Sequence, residues 1–213
     1  MIYDIDIAKQ VAKSLLQINA IILQPKNPFK WASGWFSPIY CDNRKTLSFP
    51  EIRTYIKQGL AAIVKNHYKG ASVIAGVATA GIPHGALVAE ELGLPFIYVR
   101  SKVKDHGKQN QIEGYFEDGQ SVILVEDLIS SGKSSLDSAQ VLKDSGMNVK
   151  GIVSIFTYGF DAAVENFKKA ECEYVSLCNY STLLPIAKEQ QYVEDSDISI
   201  LNEWRDNPEI WKK

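Results

Sequence analysis

The chain has little cysteine, no charge excess and no long apolar run, and each shortage excludes a class of function. Cys41, Cys172 and Cys178 are odd in number and lack the paired CxxC spacing of a zinc site. Together with a start that carries no basic-then-apolar signal pattern, they point to a reducing cytoplasm. Lys and Arg number 23 against 25 Asp and Glu, a formal charge of −2. That leaves no basic excess to displace counterions from a duplex, so nucleic acid is not an expected partner. No uninterrupted apolar run approaches the roughly 20 residues that cross a bilayer, so no membrane span is expected. Internal repeats and low-complexity segments are also missing.

What remains is the composition of one globular domain. Apolar residues make up 46% of the chain and charged residues 23%, the balance of a folding chain rather than a disordered one. A length of 213 residues is enough for one good core, and a single domain over 1–213 is expected.

Ile7, Val11, Leu15, Ile18 and Ile22 recur at helical spacing and predict a helix from about Asp4 to Leu23. A hairpin-like excursion through Arg44 follows. Pro50 suits the first turn of a second helix running to about His67, where a missing amide donor is no loss. Apolar strand candidates then alternate with helices: Ala71–Val77, Phe96–Val99, Val122–Val125, Val149–Phe156 and Tyr174–Leu177, with helices near Gly81–Gly93, Ser134–Ser145 and Ala162–Lys169. Such alternation predicts an α/β fold, a parallel sheet flanked by helices on both faces. Ligands of such a sheet sit beyond the carboxyl ends of its strands.

The most informative stretch joins opposite chemistries. Val122–Val125 lead straight into the carboxylates Glu126 and Asp127, and a turn of small residues then opens a helix. The first amides of that helix have no internal partner. With the hydroxyls of Ser130, Ser131 and Ser134 and the positive end of the helix dipole they form a cradle for an anion such as phosphate. Carboxylates beside such a cradle repel the ligand unless it offers them donors, which the hydroxyls of a ribose do. The pattern therefore points to a sugar phosphate. Taken singly, each of these residues is more often part of a plain surface turn with a helix cap. Gly132-Lys133-Ser134 also matches the tail of a nucleotide-binding GxxxxGK[ST] loop, but the position of its leading glycine is Asp127.

A second candidate is the segment Ser101–Gly114, rich in Lys and close to the length at which loops are usually functional lids. Arg100, Lys102, Lys104, His106 and Lys108 could neutralise a leaving group whose charge grows as its bond breaks. The bland alternative is a solvated charged loop. His67 and His84 fit packing or surface roles, and the tryptophans fit core or interface anchors.

These residues resemble the type I phosphoribosyltransferases that use phosphoribosyl diphosphate, and among them the orotate phosphoribosyltransferase family. The turn from Glu126 to Ser134 is similar to the signature of the whole superfamily. Arg100 with Lys104-Asp105-His106-Gly107 is similar to the orotate enzyme's loop, and Ser33-Gly34 with Ser37 to Arg44 to its acceptor-side hairpin. Gly76 to Pro83 is similar to its diphosphate turn. The resemblance implies a Rossmann-like core over 49–213 and a small N-terminal hood region over 1–48, built from the first helix and the hairpin.

It further implies that Glu126 and Asp127 meet the ribose hydroxyls and that the backbone from Leu128 and Ile129 through Ser130, Ser131, Gly132, Lys133 and Ser134 holds the 5-phosphate. Arg100, Lys104 and His106 would contact diphosphate, with Lys104, His106 and Asp127 the catalytic set. Magnesium (Mg2+) is the implied cofactor, bridging donor oxygens with water and needing no all-protein metal site. A homodimer that shares the loop between subunits is the implied assembly. Ser130 would also reach orotate. The chain has Ala32 where some members carry lysine, Ala80 in the diphosphate turn, Ser101 after the arginine, and no arginine in Phe156–Phe160. Arg44, with backbone amides near Ala32 and Tyr40, is the expected anchor for the orotate carboxylate. The rival expectations are a purine phosphoribosyltransferase and a non-catalytic sensor of the sugar diphosphate.

Overall fold

A computed structural model describes residues 1–30, 34–101 and 111–212. Its first helix, α1 (Ile5–Gln17), is capped by Asp4, whose carboxylate accepts from the amides of Asp6 and Ile7 at 2.9 Å each. The helix stops six residues before the expected Leu23. Asn19 takes φ 52°, the left-handed region that a short amide side chain tolerates, and Ile21–Leu23 turns into strand β1. A short hairpin of β2 (Phe29–Lys30) and β3 (Phe36–Ser37) follows, and β4 (Ile39–Cys41) returns antiparallel to β1. A 3₁₀ turn at Asn43–Ser48 leads into α2 (Pro50–His67), with proline in the first turn as its missing donor predicts.

The remaining elements alternate: β5 (Val73–Val77), α3 (Gly81–Leu92), β6 (Phe96–Val99), β7 (Ile112–Glu113), β8 (Ser121–Ile129), α4 (Lys133–Asp144), β9 (Asn148–Thr157), α5 (Asp161–Lys169) and β10 (Tyr174–Asn179). The central sheet has the order β10-β9-β8-β5-β6-β7, parallel except for β7, which runs antiparallel to β6. The expected parallel sheet thus gains an antiparallel edge. Strand order reverses between β5 and β8, and there the chains leaving the two strands diverge and open a crevice at their carboxyl ends.

Alternate residues of each buried strand feed opposite layers. Ile74, Ile123, Val125 and Val153 pack with Leu15 of α1, Leu60 of α2 and Val88 of α3. Val73, Ala75, Val122, Leu124 and Ile152 pack with Ala139 and Leu142 of α4 and Phe167 of α5. Gly81 lets α3 start against β8, since a Cβ there would lie 2.3 Å from the Val125 carbonyl oxygen.

Two further helices, α6 (Tyr180–Glu189) and α7 (Asp195–Asp206), lie past the last element that periodicity marks. Trp204 of α7 is fully buried among Tyr158, Phe160 and Tyr180, with ring centroids 5.4–5.6 Å apart. It is a core anchor, as expected for tryptophan. Among the described residues no helix is long and apolar enough to cross a membrane.

Candidate functional site

The end of β8 carries charge into the crevice at the point of strand reversal. Glu126 is only 5% exposed, because the apolar run before it is sheet interior and the strand continues past it. Its carboxyl group is satisfied from within. The Asp127 amide donates to Oε1 at 3.1 Å, and the hydroxyls of Ser134 and Ser135, in the first turn of α4, donate to Oε2 at 3.4 and 3.1 Å. Asp127 is half-buried, and its carbonyl accepts from Nδ2 of Asn43 at 2.7 Å, tying the 3₁₀ turn to the strand end.

Burial, and then the adjacent Asp127 charge, raise the Glu126 pKa well above the ordinary carboxylate range. Asp127 is also raised by burial, opposed by a hydrogen bond from Glu126 and by the positive charge of Arg44. Burial thus opposes ionisation of both adjacent carboxyl groups, and a proton on either one relieves the repulsion between them.

The turn that follows, from Ser130 to Gly132, is held from both sides. Ile129 O accepts from the Tyr158 amide at 3.2 Å and from Thr157 Oγ1 at 3.1 Å, while Ser131 O accepts from Asn166 Nδ2 at 3.1 Å. Gly132 takes φ 79°, and a Cβ there would meet the Phe167 ring at 2.4 Å, so the turn demands glycine. That glycine precedes α4 with no side-chain cap, leaving the helix N-terminus open to an anion. Ser131, Lys133 and Ser134 are exposed, Ser130 is half-buried, Leu128 is half-buried and Ile129 is core.

Arg100 stands at the end of β6. Its amide donates to Gln111 O at 2.7 Å, and its Nη1 lies 3.5 Å from Glu113 Oε1. Among the described residues that buried Nη1 makes no hydrogen bond, which leaves donor capacity for a ligand. A cleft of about 360 Å³ joins Arg100 and Ser101 to Val77 and Ala78 of the β5 turn and to Lys133 and Ser134 of the phosphate turn. The ends of β5 and β6 and the start of α4 thus meet in one place.

On the hood side, Tyr40 is 39% exposed and its ring lies 5.6 Å from that of Phe29. Arg44 Nε donates to Asp42 Oδ1 at 2.6 Å and its charge is felt at Asp127. Ala32, Lys104 and His106 lie outside the described residues. Of the other histidines, His84 is buried and kept neutral by desolvation, with its pKa lowered to about 4, and His67 bonds Glu173 at 2.9 Å. Both fit the packing and surface roles expected of them.

Sequence reasoning gave no role to Asn43, Ser135 or Glu113. A signal for Ser135 existed: it is polar at an inward position of α4, beside the buried Ala139 and Leu142 of the same helix.

Comparison with known proteins gives one answer. The phosphoribosyl transferase domain family matches residues 50–182. The chain is 53% identical over 205 residues to an orotate phosphoribosyltransferase of Cytophaga hutchinsonii, spanning 96% of this chain and 98% of that one. It is 50% identical over 207 residues to an orotate phosphoribosyltransferase of Enterococcus faecalis, spanning 97% and 99%. Among solved structures it is similar to the orotate phosphoribosyltransferase of Aeropyrum pernix, with a TM-score of 0.75 and 28% identity over 86% of this chain and 99% of that one.

Proposed function

The chain belongs to the orotate phosphoribosyltransferase family, and from that premise we propose how its residues carry the phosphoribosyl group from 5-phosphoribosyl 1-diphosphate to orotate, giving orotidine 5'-phosphate and diphosphate. A single observation supports the division of labour: Arg100 and the uncapped start of α4 line one cleft, and Ser134 of that helix start donates to Glu126 at the acidic strand end.

Asp127 and Glu126 accept from the ribose hydroxyls, and Asp127 supplies the negative charge that favours a sugar turning positive. The amides and hydroxyls from Ser130 to Ser134, carried on the backbone of Leu128 and Ile129, hold the 5-phosphate. Arg100 binds the diphosphate, joined by Lys104 and His106 from the loop. A ring nitrogen of orotate, losing its proton to solvent, forms a bond to the anomeric carbon while the C–O bond to diphosphate breaks and its electron pair leaves with the diphosphate.

Orotate lies under the hood against Ser130, Tyr40 and the backbone near Ala32, its carboxylate paired with Arg44. Mg2+, the cofactor expected of the family, would supply positive charge to the departing diphosphate when bound; no all-protein site is expected to hold it, since the ion keeps most of its water. The chain works as a single domain, residues 1–48 forming the hood over a core of 49–213. The assembly is a cytoplasmic homodimer in which each loop serves the neighbouring site.

The test is direct. Protein, magnesium and phosphoribosyl diphosphate are mixed with orotate or with a purine base, and ultraviolet absorbance is followed. Orotate is expected to be consumed and the purine to persist; the reverse result overturns the acceptor assignment.

A further inference from the structure

Serine inside a helix ordinarily turns its hydroxyl back to the carbonyl four residues earlier. Ser138 and Ser145 do this, donating to Ser134 O and Val141 O at 2.9 Å each. Ser135 does not. Its side chain is fully buried, and its hydroxyl reaches across from α4 to β8 to donate to Glu126 Oε2 at 3.1 Å. The carbonyl four residues before it, that of Ser131, accepts instead from Asn166 at 3.1 Å.

The neighbouring hydroxyl cannot do the same work throughout the reaction. Ser134 is exposed on the phosphate turn and stands 3.4 Å from the same oxygen, so a phosphate seated on the turn competes for it. No ligand reaches Ser135. A buried carboxyl oxygen that loses its donor is left under-satisfied; with the Asp127 amide on Oε1, Ser135 is the donor that holds Oε2 when Ser134 turns to a ligand.

We propose that Ser135 is a positioning residue for the transfer: its buried hydroxyl fixes the carboxyl group of Glu126 in the crevice and so couples the start of the phosphate-binding helix to the sugar-binding strand end. The inference rests on the reading in which Glu126 meets the ribose. Ser135 touches no substrate and acts only through Glu126.

A double-mutant cycle tests this, with orotate consumption as the assay. Ser135→Ala is expected to lower kcat/KM for phosphoribosyl diphosphate about tenfold, the scale of one hydrogen bond to a charged or charge-sharing group. In a Glu126→Ala background the same change is expected to lower it less than about twofold, because the group it acted on is gone. Ser135→Thr, which keeps the hydroxyl, is expected to restore most of the lost activity, and this arm does not depend on how well the Glu126→Ala protein folds. Equal losses in both backgrounds, or a Ser135→Ala protein that matches the wild type, overturn the positioning role alone. A wild-type protein that leaves orotate untouched overturns the parent reading and this inference with it.

Discussion

The carboxyl ends of β8 and β6 hold opposite charges in opposite ways. At β8 the Glu126 carboxyl group is sunk into the protein and satisfied by Ser134, Ser135 and a backbone amide, beside the half-buried Asp127, whose carbonyl Asn43 ties down. At β6 the Arg100 guanidinium is one-third exposed, and Glu113 stands 3.5 Å away as a loose partner. Burial makes the acidic end stiff and shields it from salt, whereas the basic end remains adjustable. A reaction that turns the sugar positive needs fixed charge beneath it. A leaving group that must depart needs charge that can let go. On the proposed reading, the contrast matches the two halves of one bond-breaking event.

The contrast is most exposed at Asp127. Asp127→Asn keeps the shape and removes one ionisable group, and kcat/KM is expected to fall by roughly 10²–10³, the scale of losing one preorganised electrostatic group. Steady-state orotate consumption measures it, and a loss below tenfold would mean that the buried charge is not what stabilises the sugar. Arg100→Ala is expected to lower kcat/KM for the sugar diphosphate by roughly 10–100-fold, as loss of a charge-assisted contact does. Its deficit should shrink severalfold as ionic strength rises from about 0.05 to 0.5 M, where screening shortens to a few ångströms, while the Asp127→Asn deficit stays constant. Equal salt dependence for both variants would erase the distinction between stiff and adjustable ends.

The stiff end was more legible in the sequence than the adjustable one, for a physical reason. An apolar run ending in two acids, then small residues and a helical pattern, is a local signal, because strand, turn and helix start are contiguous and each constrains the next. The partners that complete it are not local. Asn43 reaches Asp127 from 84 positions away, and Ser135 looks like any helical serine until α4 is folded against β8. The first helix was overextended because Ile18 and Ile22 keep its period, although Asn19 turns left-handed and hands Ile21–Leu23 to a strand. β7 spans only Ile112–Glu113, too short to show an alternation, and so the antiparallel edge was invisible. The last helices serve the core through Trp204 and Leu201 rather than the site, and the alternation of strand and helix ends before them.

The smallest expected effect concerns stability and follows from the same burial. The Glu126 pKa is raised in the folded chain, first by desolvation and then by Asp127, above an ordinary value near 4.5. Unfolded chain therefore releases this proton at lower pH than folded chain does. The native state binds more protons in between, so its stability declines as pH rises from about 4.5 through the raised folded value. Glu126→Gln cannot ionise and keeps an oxygen for the Ser135 hydroxyl. Its melting temperature is expected to equal that of the wild type near pH 4.5 and to exceed it by a few degrees at alkaline pH, at about 2–4 °C per kcal/mol for a chain of this size. Thermal melts across pH measure the gap. A difference that does not widen with pH would mean that Glu126 ionises as readily folded as unfolded, and the acidic end would then be no stiffer in its charge than the basic one. A widening gap beside lost activity would instead locate, in one carboxyl group, stability given up to keep an acid buried under the sugar.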